Sequence, residues 1–336
     1  MIGVLEGIRK QRFILPINMT CKICNESFIN DKSFHAHLKK HNLYQAEYYC
    51  KYYPRHSLYY RQQIPFKNKK QYFETEFIDY NEFLKWEKSE NEEMVKVKCL
   101  DILRRRVDEK HYHFAPFHNE LITLDMPSLN IYKKHFNSYT SACKLLNIEP
   151  LYNKNLPESF KKVDVSHLPI LIDTREQDPL EFPKSKVEKI FVGDYLIADK
   201  KYFTNTFVDR KSESDFLGTM ASGIERFERE LIKAVELDCY LFVVVESNIN
   251  TILFNQKKYN RKTNLEYVFH NMRNLCHKYP RHIQFIFTGS RNKSLDIIPR
   301  LLYHGKSLWQ VDIQYFLDNE LGNRQPSTKE IAAHFQ

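Results

Sequence analysis

The run from Gly193 to Asp215, GDYLIADKKYFTNTFVDRKSESD, holds the residues of this chain best suited to chemistry. An acid follows a glycine at Asp194, a strand-like run ends in Asp209-Arg210-Lys211, and a further acid stands at Asp215. In an extended strand alternate side chains share a face, so Asp209 and Lys211 are expected to point one way and Arg210 the other. A carboxylate and an ammonium are then held side by side. With Asp194 on a neighbouring segment, the group meets the needs of metal-dependent phosphodiester hydrolysis: carboxylates for a hard cation, and a lysine beside the attacking water. The plainer reading is that charges at strand ends and helix starts are solvated, with Asp215 only stabilising the positive end of the next helix.

Positioning such a group takes strands that end on acids. Pro169-Ile-Leu-Ile-Asp173 is a short apolar run that delivers a carboxylate at its edge, and Thr174-Arg175-Glu176 adds a second. Lys189 to Ile197 and Tyr202 to Val208 read as strands joined by a hairpin at Ala198-Asp199-Lys200. Ser222 to Leu237 has helical periodicity through Ile224, Phe227, Leu231 and Val235, and Leu265 to Tyr279 and Arg291 to Tyr303 read as further helices. Leu241 to Val245 and Ile283 to Phe287 are continuous apolar strands. Strands alternating with helices predict an α/β layer structure on a mixed sheet.

These residues resemble the XPF-type nuclease family over about Leu168 to Tyr303. LIDTRE, then GD, then VDRKSESD follow its signature V-D-x-R-E, then G-D-x(n)-E-R-K-x3-D, and a helix carrying Arg226-Phe227 and an apolar strand come next. The resemblance implies a restriction-endonuclease-like core, a mixed sheet flanked by helices. It implies Asp173, Glu176, Asp194 and Asp209 around the metal, Mg²⁺ or Mn²⁺, with Asp173, Asp194 and Asp209 as ligands. Lys211 would be the catalytic lysine, Arg210 and Asp215 supports, and Arg226 a phosphate contact. The family's habit of pairing nuclease domains implies a homodimer. Two departures stand out. Asp209 occupies the family's Glu position and loses a methylene, and no paired Gly-x-Gly helix-hairpin-helix follows, so DNA binding is expected to move to the N-terminal modules.

Near the start the chain reads Cys21-x2-Cys24-x3-Phe28-x5-Phe34-x2-His37-x3-His41. Two thiolates on a turn and two imidazoles one helical turn apart can close a tetrahedron on zinc, with Phe28 and Phe34 as a small apolar core. The stretch resembles a Cys2His2 zinc finger, with Phe34 where Leu is usual. The family's base-reading positions fall on Asn30, which could address adenine, and on Ser33 and Ala36, which offer little, whereas Lys32, Lys39 and Lys40 suit phosphate contact. A lone finger spans only about 3 bp and is expected to act as an accessory anchor.

From His41 to about Lys88 aromatics and basic residues interleave, a pattern that can track a nucleic-acid strand but more often forms an irregular connector, here broken by Pro54 and Pro65. Helical spacing follows through Val95, Leu100 and Leu103, with a basic end at Arg104, Arg105 and Arg106. Then PSLNIYKKHFNSYTSACKLLNI reads as two helices: Ser128 caps one carrying Ile131 and Tyr132, and a turn at Asn137-Ser138 leads to Ala142, Leu145 and Leu146. This run resembles the helical repeat found beside homing-endonuclease nuclease domains, with Phe136-Asn137-Ser138-Tyr139 in place of Phe-Gly-Ser-Trp; Asn tolerates the left-handed turn. It would set Lys133, Lys134 and His135 toward DNA.

Length and composition fit these assignments. A chain of 336 residues with 42% hydrophobic content can bury more than one core, and a net charge of +9 favours a polyanionic partner. The seven Cys and the absence of a secretory pattern argue against a disulfide framework, and no apolar run reaches membrane-spanning length. A soluble protein is expected, in the cytoplasm of a host cell if phage-encoded or the nucleus if eukaryotic. The chain divides into a finger at 15–45, a connector at 46–93, a helical module at 94–150, a linker at 151–166, the nuclease domain at 167–305 and a helical tail at 306–336, where Ser327 opens a capping box with Glu330. The reading is a metal-dependent endonuclease acting on double-stranded DNA at an extended site, as in a homing endonuclease of a mobile element or phage. The alternatives are a repair or recombination nuclease for flaps, forks and junctions, and a non-catalytic DNA-binding regulator.

Overall fold

The computed structural model describes residues 19–28, 31–53, 80–259 and 263–321, which belong to two compact units, Met1–Thr75 and Glu76–Gln336. Asn30, Pro54, Pro65 and the Pro326–Ala332 capping box lie outside the described residues. No helix among those described is long and apolar enough to cross a membrane.

The first unit opens with a hairpin of β1 (Met19–Thr20) and β2 (Ser27–Phe28), followed by the helix Asp31–His37 and a tighter 3-10 turn to His41. Cys21, Phe34, Leu38 and Tyr48 form its buried core. Tyr48 comes from a second helix, Gln45–Tyr52, and its hydroxyl accepts the Lys22 N–H at 2.8 Å, which satisfies a polar group that burial would otherwise penalise. This helix lies almost wholly in the stretch that the sequence reads as a connector. Tyr48, Tyr49, Tyr52 and Tyr53 are an aromatic stripe at helical spacing, and Glu47 accepts the Tyr44 N–H to close the helix start.

In the second unit come helices Tyr80–Ser89 and Glu92–Lys110, a short parallel pair of β3 (Phe114–Ala115) and β4 (Glu149–Pro150), and between those strands helices His118–Thr123, Leu129–Phe136 and Tyr139–Leu145. Asn137 takes the expected left-handed conformation, φ +66°, between the last two helices. Ser128 stands at the N-cap position of Leu129–Phe136, but its side chain makes no capping bond.

A six-stranded sheet follows: β5 (Ile170–Ile172), β6 (Ser185–Val187), β7 (Tyr195–Ile197), β8 (Thr206–Lys211), β9 (Tyr240–Val245) and β10 (Ile283–Phe287), in the order β10-β9-β8-β7-β5-β6. β8, β9 and β10 are parallel, β7 is antiparallel to both β8 and β5, and β6 runs parallel to β5 at the edge. Strand alternation sends Leu241, Val243 and Val245 into one core with helices Glu213–Ala221, Ile224–Glu236 and Leu265–Lys278, while Tyr240, Phe242 and Val244 enter the other with helices Arg291–His304 and Ile313–Asn319. A strand buried on both faces reads as one apolar run, which is why β9 and β10 are legible and the exposed β6 is not.

The 151–166 and 306–321 stretches pack on the sheet. Leu151 and Tyr152 enter the first core of the sheet, Phe160 the second, and the Asn153 and Lys154 N–H groups both donate to Gln310 O. Leu308, Val311, Ile313 and Leu317 also belong to the second core. The helical module is fastened to the sheet as well: Asn119 Nδ2 donates to Phe285 O at 2.9 Å and the His118 N–H to Asp312 Oδ2 at 2.9 Å. Beneath lies a buried charge cluster. Glu120, fully inaccessible, takes Arg106 Nη2 on one oxygen and His277 Nε2 on the other, each at 2.7 Å. Burial opposes its charge, yet His277, Arg106 and Arg273 together pull its carboxyl down to about 2.

Candidate functional site

β8 carries the centre of the site. Its alternation places Phe207 in the first core and Val208 in the second, so Asp209 and Lys211 face the first side and Arg210 the other. Lys211 Nζ lies 2.9 Å from Asp209 Oδ2 and over the Phe227 ring at 5.4 Å. Burial disfavours the ammonium, but the Asp209 carboxylate, with Asp194 and Glu230 behind it, holds Lys211 above its ordinary pKa.

Asp194 arrives from the segment entering β7. Its N–H donates to Val208 O at 2.7 Å, and its Oδ2 accepts the Arg210 N–H at 2.8 Å. Gly193 makes this approach possible. At φ +67° it sits where a Cβ would fall 2.8 Å from Val208 O, so no other residue fits without strain. Burial, and next the facing Asp209 carboxylate, push the Asp194 carboxyl well above the usual range.

On the opposite face Arg210 is locked. Its Nη2 reaches Glu176 Oε1 at 3.0 Å and Asp178 O at 2.6 Å, and its Nη1 reaches Glu246 Oε2 at 3.0 Å. Glu246 also donates its N–H to Lys211 O at 2.9 Å. Sequence reading missed Glu246, although LFVVVE repeats the pattern that singled out Asp173, an apolar strand ending on an acid. It missed Phe227 as well: a ring at helical spacing reads only as core, while the structure sets it under the Lys211 ammonium.

Asp173 and Asp215 are both held by hydrogen bonds to nearby backbone or side chains. Asp173 is buried with both oxygens committed: Oδ1 accepts the Arg175 N–H at 2.8 Å and Arg175 Nε at 2.6 Å, and Oδ2 accepts the Ile190 N–H at 2.6 Å. Burial is outweighed by these bonds, and its carboxyl titrates below the ordinary range. These bonds tie the end of β5 to the loop that leads to Asp194. Asp215 lies exposed on the first turn of Glu213–Ala221, where its carboxylate accepts Ser212 Oγ at 2.6 Å and its N–H donates back to that oxygen, a helix cap. Lys133, Arg226, Lys32, Lys39 and Lys40 are exposed. Lys134 reaches the buried Glu87, and His135 is buried between Glu87 and Glu92, 2.9 Å from each, so His135 does not face a ligand.

Among the described residues, Cys21, Cys24, His37 and His41 are the one group of three or more whose potential ligand atoms all come within 4.8 Å of one another. His37 Nε2 lies 3.2 Å from Cys24 Sγ and 3.0 Å from His41 Nε2, which in turn lies 3.5 Å from Cys21 Sγ. Glu26 stands 3.3 Å behind His37 Nδ1, the position from which a carboxylate orients a ligating imidazole. In the sheet, by contrast, Asp194 and Asp209 form a pair.

The segment 172–301, from the end of β5 into the Arg291–His304 helix, matches the family model of the ERCC4 domain. The chain carries an ERCC4 domain. Asp173, Glu176, Asp194, Asp209, Arg210, Lys211 and Glu246 all lie within this ERCC4 domain. Among solved structures, the chain is similar to XPF from Aeropyrum pernix in complex with DNA, at 19% identity over 50% of this chain and 82% of that one, with a TM-score of 0.32. A second structure of XPF from Aeropyrum pernix is similar at 18% identity over 40% and 59%, with a TM-score of 0.29. No curated protein matches the chain.

Proposed function

We propose that this protein is a metal-dependent DNA endonuclease with Asp194, Asp209 and Lys211 at its reaction centre. The observation that carries this is the pressing together of Asp194 and Asp209 beside Lys211, inside the ERCC4 domain. Two buried carboxylates, with the Asp194 pKa raised by burial and by the facing Asp209, are a donor set that a hard divalent cation relieves, and Mg²⁺ or Mn²⁺ held there would activate water and neutralise charge on the phosphate. Asp209, though shorter than Glu, reaches Asp194 and supports that role. Lys211, kept cationic by Asp209 and backed by Phe227, orients the nucleophile and stabilises developing charge rather than removing a proton. Arg210, clamped by Glu176 and Glu246, fixes the end of β8 and, through its N–H, the Asp194 carboxylate. The test is nicking of DNA in Mg²⁺ or Mn²⁺: Asp194→Ala and Lys211→Ala should each lose cleavage by at least ~10²-fold while still binding DNA, and undiminished cutting by both would overturn the assignment.

For the substrate, the burial of His135 and the pairing of Lys134 with Glu87 leave the helical module with fewer groups to read a duplex than its sequence suggests. That favours branched or interrupted DNA. The Cys/His group supports a second reading, a zinc-bearing anchor for a site on intact duplex, as in a homing-type enzyme. Flap, fork and long duplex substrates offered in parallel separate the two: cutting confined to junctions rejects the homing reading.

A further inference from the structure

Phe191 is 81% exposed, yet the backbone on both sides of it is fixed. Ile190 gives its N–H to Asp173 Oδ2 at 2.6 Å and its carbonyl to Arg175 Nη2 at 3.3 Å. Val192 is fully buried, Gly193 is held against Val208, and Asp194 comes next. An aromatic ring that gains nothing from water is therefore presented on a rigid lip of the reaction centre. Lys189, exposed, brings positive charge to the same lip, and the exposed Arg175, paired with Asp173, stands beside it. Cations beside an exposed ring are how proteins hold a nucleic-acid strand, the cations taking phosphates and the ring a base. Within an intact duplex each base is already stacked on its neighbours. The ring can find a base only where the duplex is interrupted.

We infer that Phe191 is a substrate-contacting residue that stacks on an unpaired or terminal nucleobase next to the phosphate to be cut. This rests on the endonuclease reading and narrows its substrate to DNA with a branch, nick or end. The probe is a fork oligonucleotide carrying 2-aminopurine as the unpaired base at the branch, titrated in EDTA so that nothing is cut. Wild-type protein should quench the reporter. Phe191→Ala should bind roughly tenfold more weakly and leave the reporter bright, with an unchanged melting temperature, and Phe191→Trp should restore both. Binding and quenching by Phe191→Ala equal to wild type would overturn the proposal, as would an equal loss of affinity for an intact duplex of the same length. Cleavage in Mg²⁺ is scored separately. Wild-type protein that quenches but cuts neither fork nor duplex sinks the endonuclease reading and leaves this contact standing, whereas Phe191→Ala cutting forks with unchanged KM does the reverse.

Discussion

Asp194 carries a cost that its function would explain. A carboxyl whose pKa is raised by the fold favours unfolding as pH rises, so metal-free stability should decline as pH climbs from the ordinary Asp range near ~4 through the raised pKa. Asp194→Asn keeps an oxygen for the Arg210 N–H and removes the repulsion with Asp209. It should raise the metal-free melting temperature at neutral pH by about 2–4 °C, the effect of ~1 kcal/mol in a domain of this size, and abolish both cleavage and any melting shift with Mg²⁺. A variant less stable than wild type would show that the pair is not strained. The neighbouring glycine fails in the other direction: Gly193→Ala forces a side chain into a left-handed conformation against Val208 O and should lower stability by about 1–2 kcal/mol in urea titration.

The elements that carry these residues were legible to different degrees, for physical reasons. β9 and β10 are buried on both faces, and the helix Ile224–Glu236 shows its stripe through Phe227 and Leu231, so each leaves a periodic trace. The alternation of Asp209, Arg210 and Lys211 follows from strand geometry alone. Contacts between segments far apart in sequence leave no such trace. The bond from the Ile190 N–H to Asp173 cannot be read from either segment alone, and the 151–166 stretch reads as a linker because its few anchors, Leu151, Tyr152 and Phe160, follow no period. Glu120 is the strongest case, since its partners Arg106 and His277 come from helices on either side of it in sequence. Its depressed pKa gives stability that is present above ~4.3 and lost as pH falls toward about 2. Glu120→Gln should strand the buried cations and cost about 3–5 kcal/mol in denaturant unfolding at pH 7, and should remove that acid transition.

At the scale of the whole molecule, the two units should answer to different metals. The Cys21-Cys24-His37-His41 group predicts one tightly held zinc, whose removal by chelation should unfold the Met1–Thr75 unit and leave the sheet of the second unit intact. Emission spectroscopy for zinc and circular dichroism before and after chelation check this, and a chain that keeps all its helicity without zinc would contradict it. Within the second unit, the join between the helical module and the sheet has its own consequence. Asn119 and His118 hydrogen-bond across it, Glu120 is buried in it, and Leu151, Tyr152 and Phe160 pin the connecting chain. These contacts join the element that carries Lys133 to the sheet that carries Asp194. If Lys133 grips DNA that is cut at Asp194, the join predicts a constant offset between grip and cut, and inserting residues into an exposed turn of 151–166 should leave that offset unchanged.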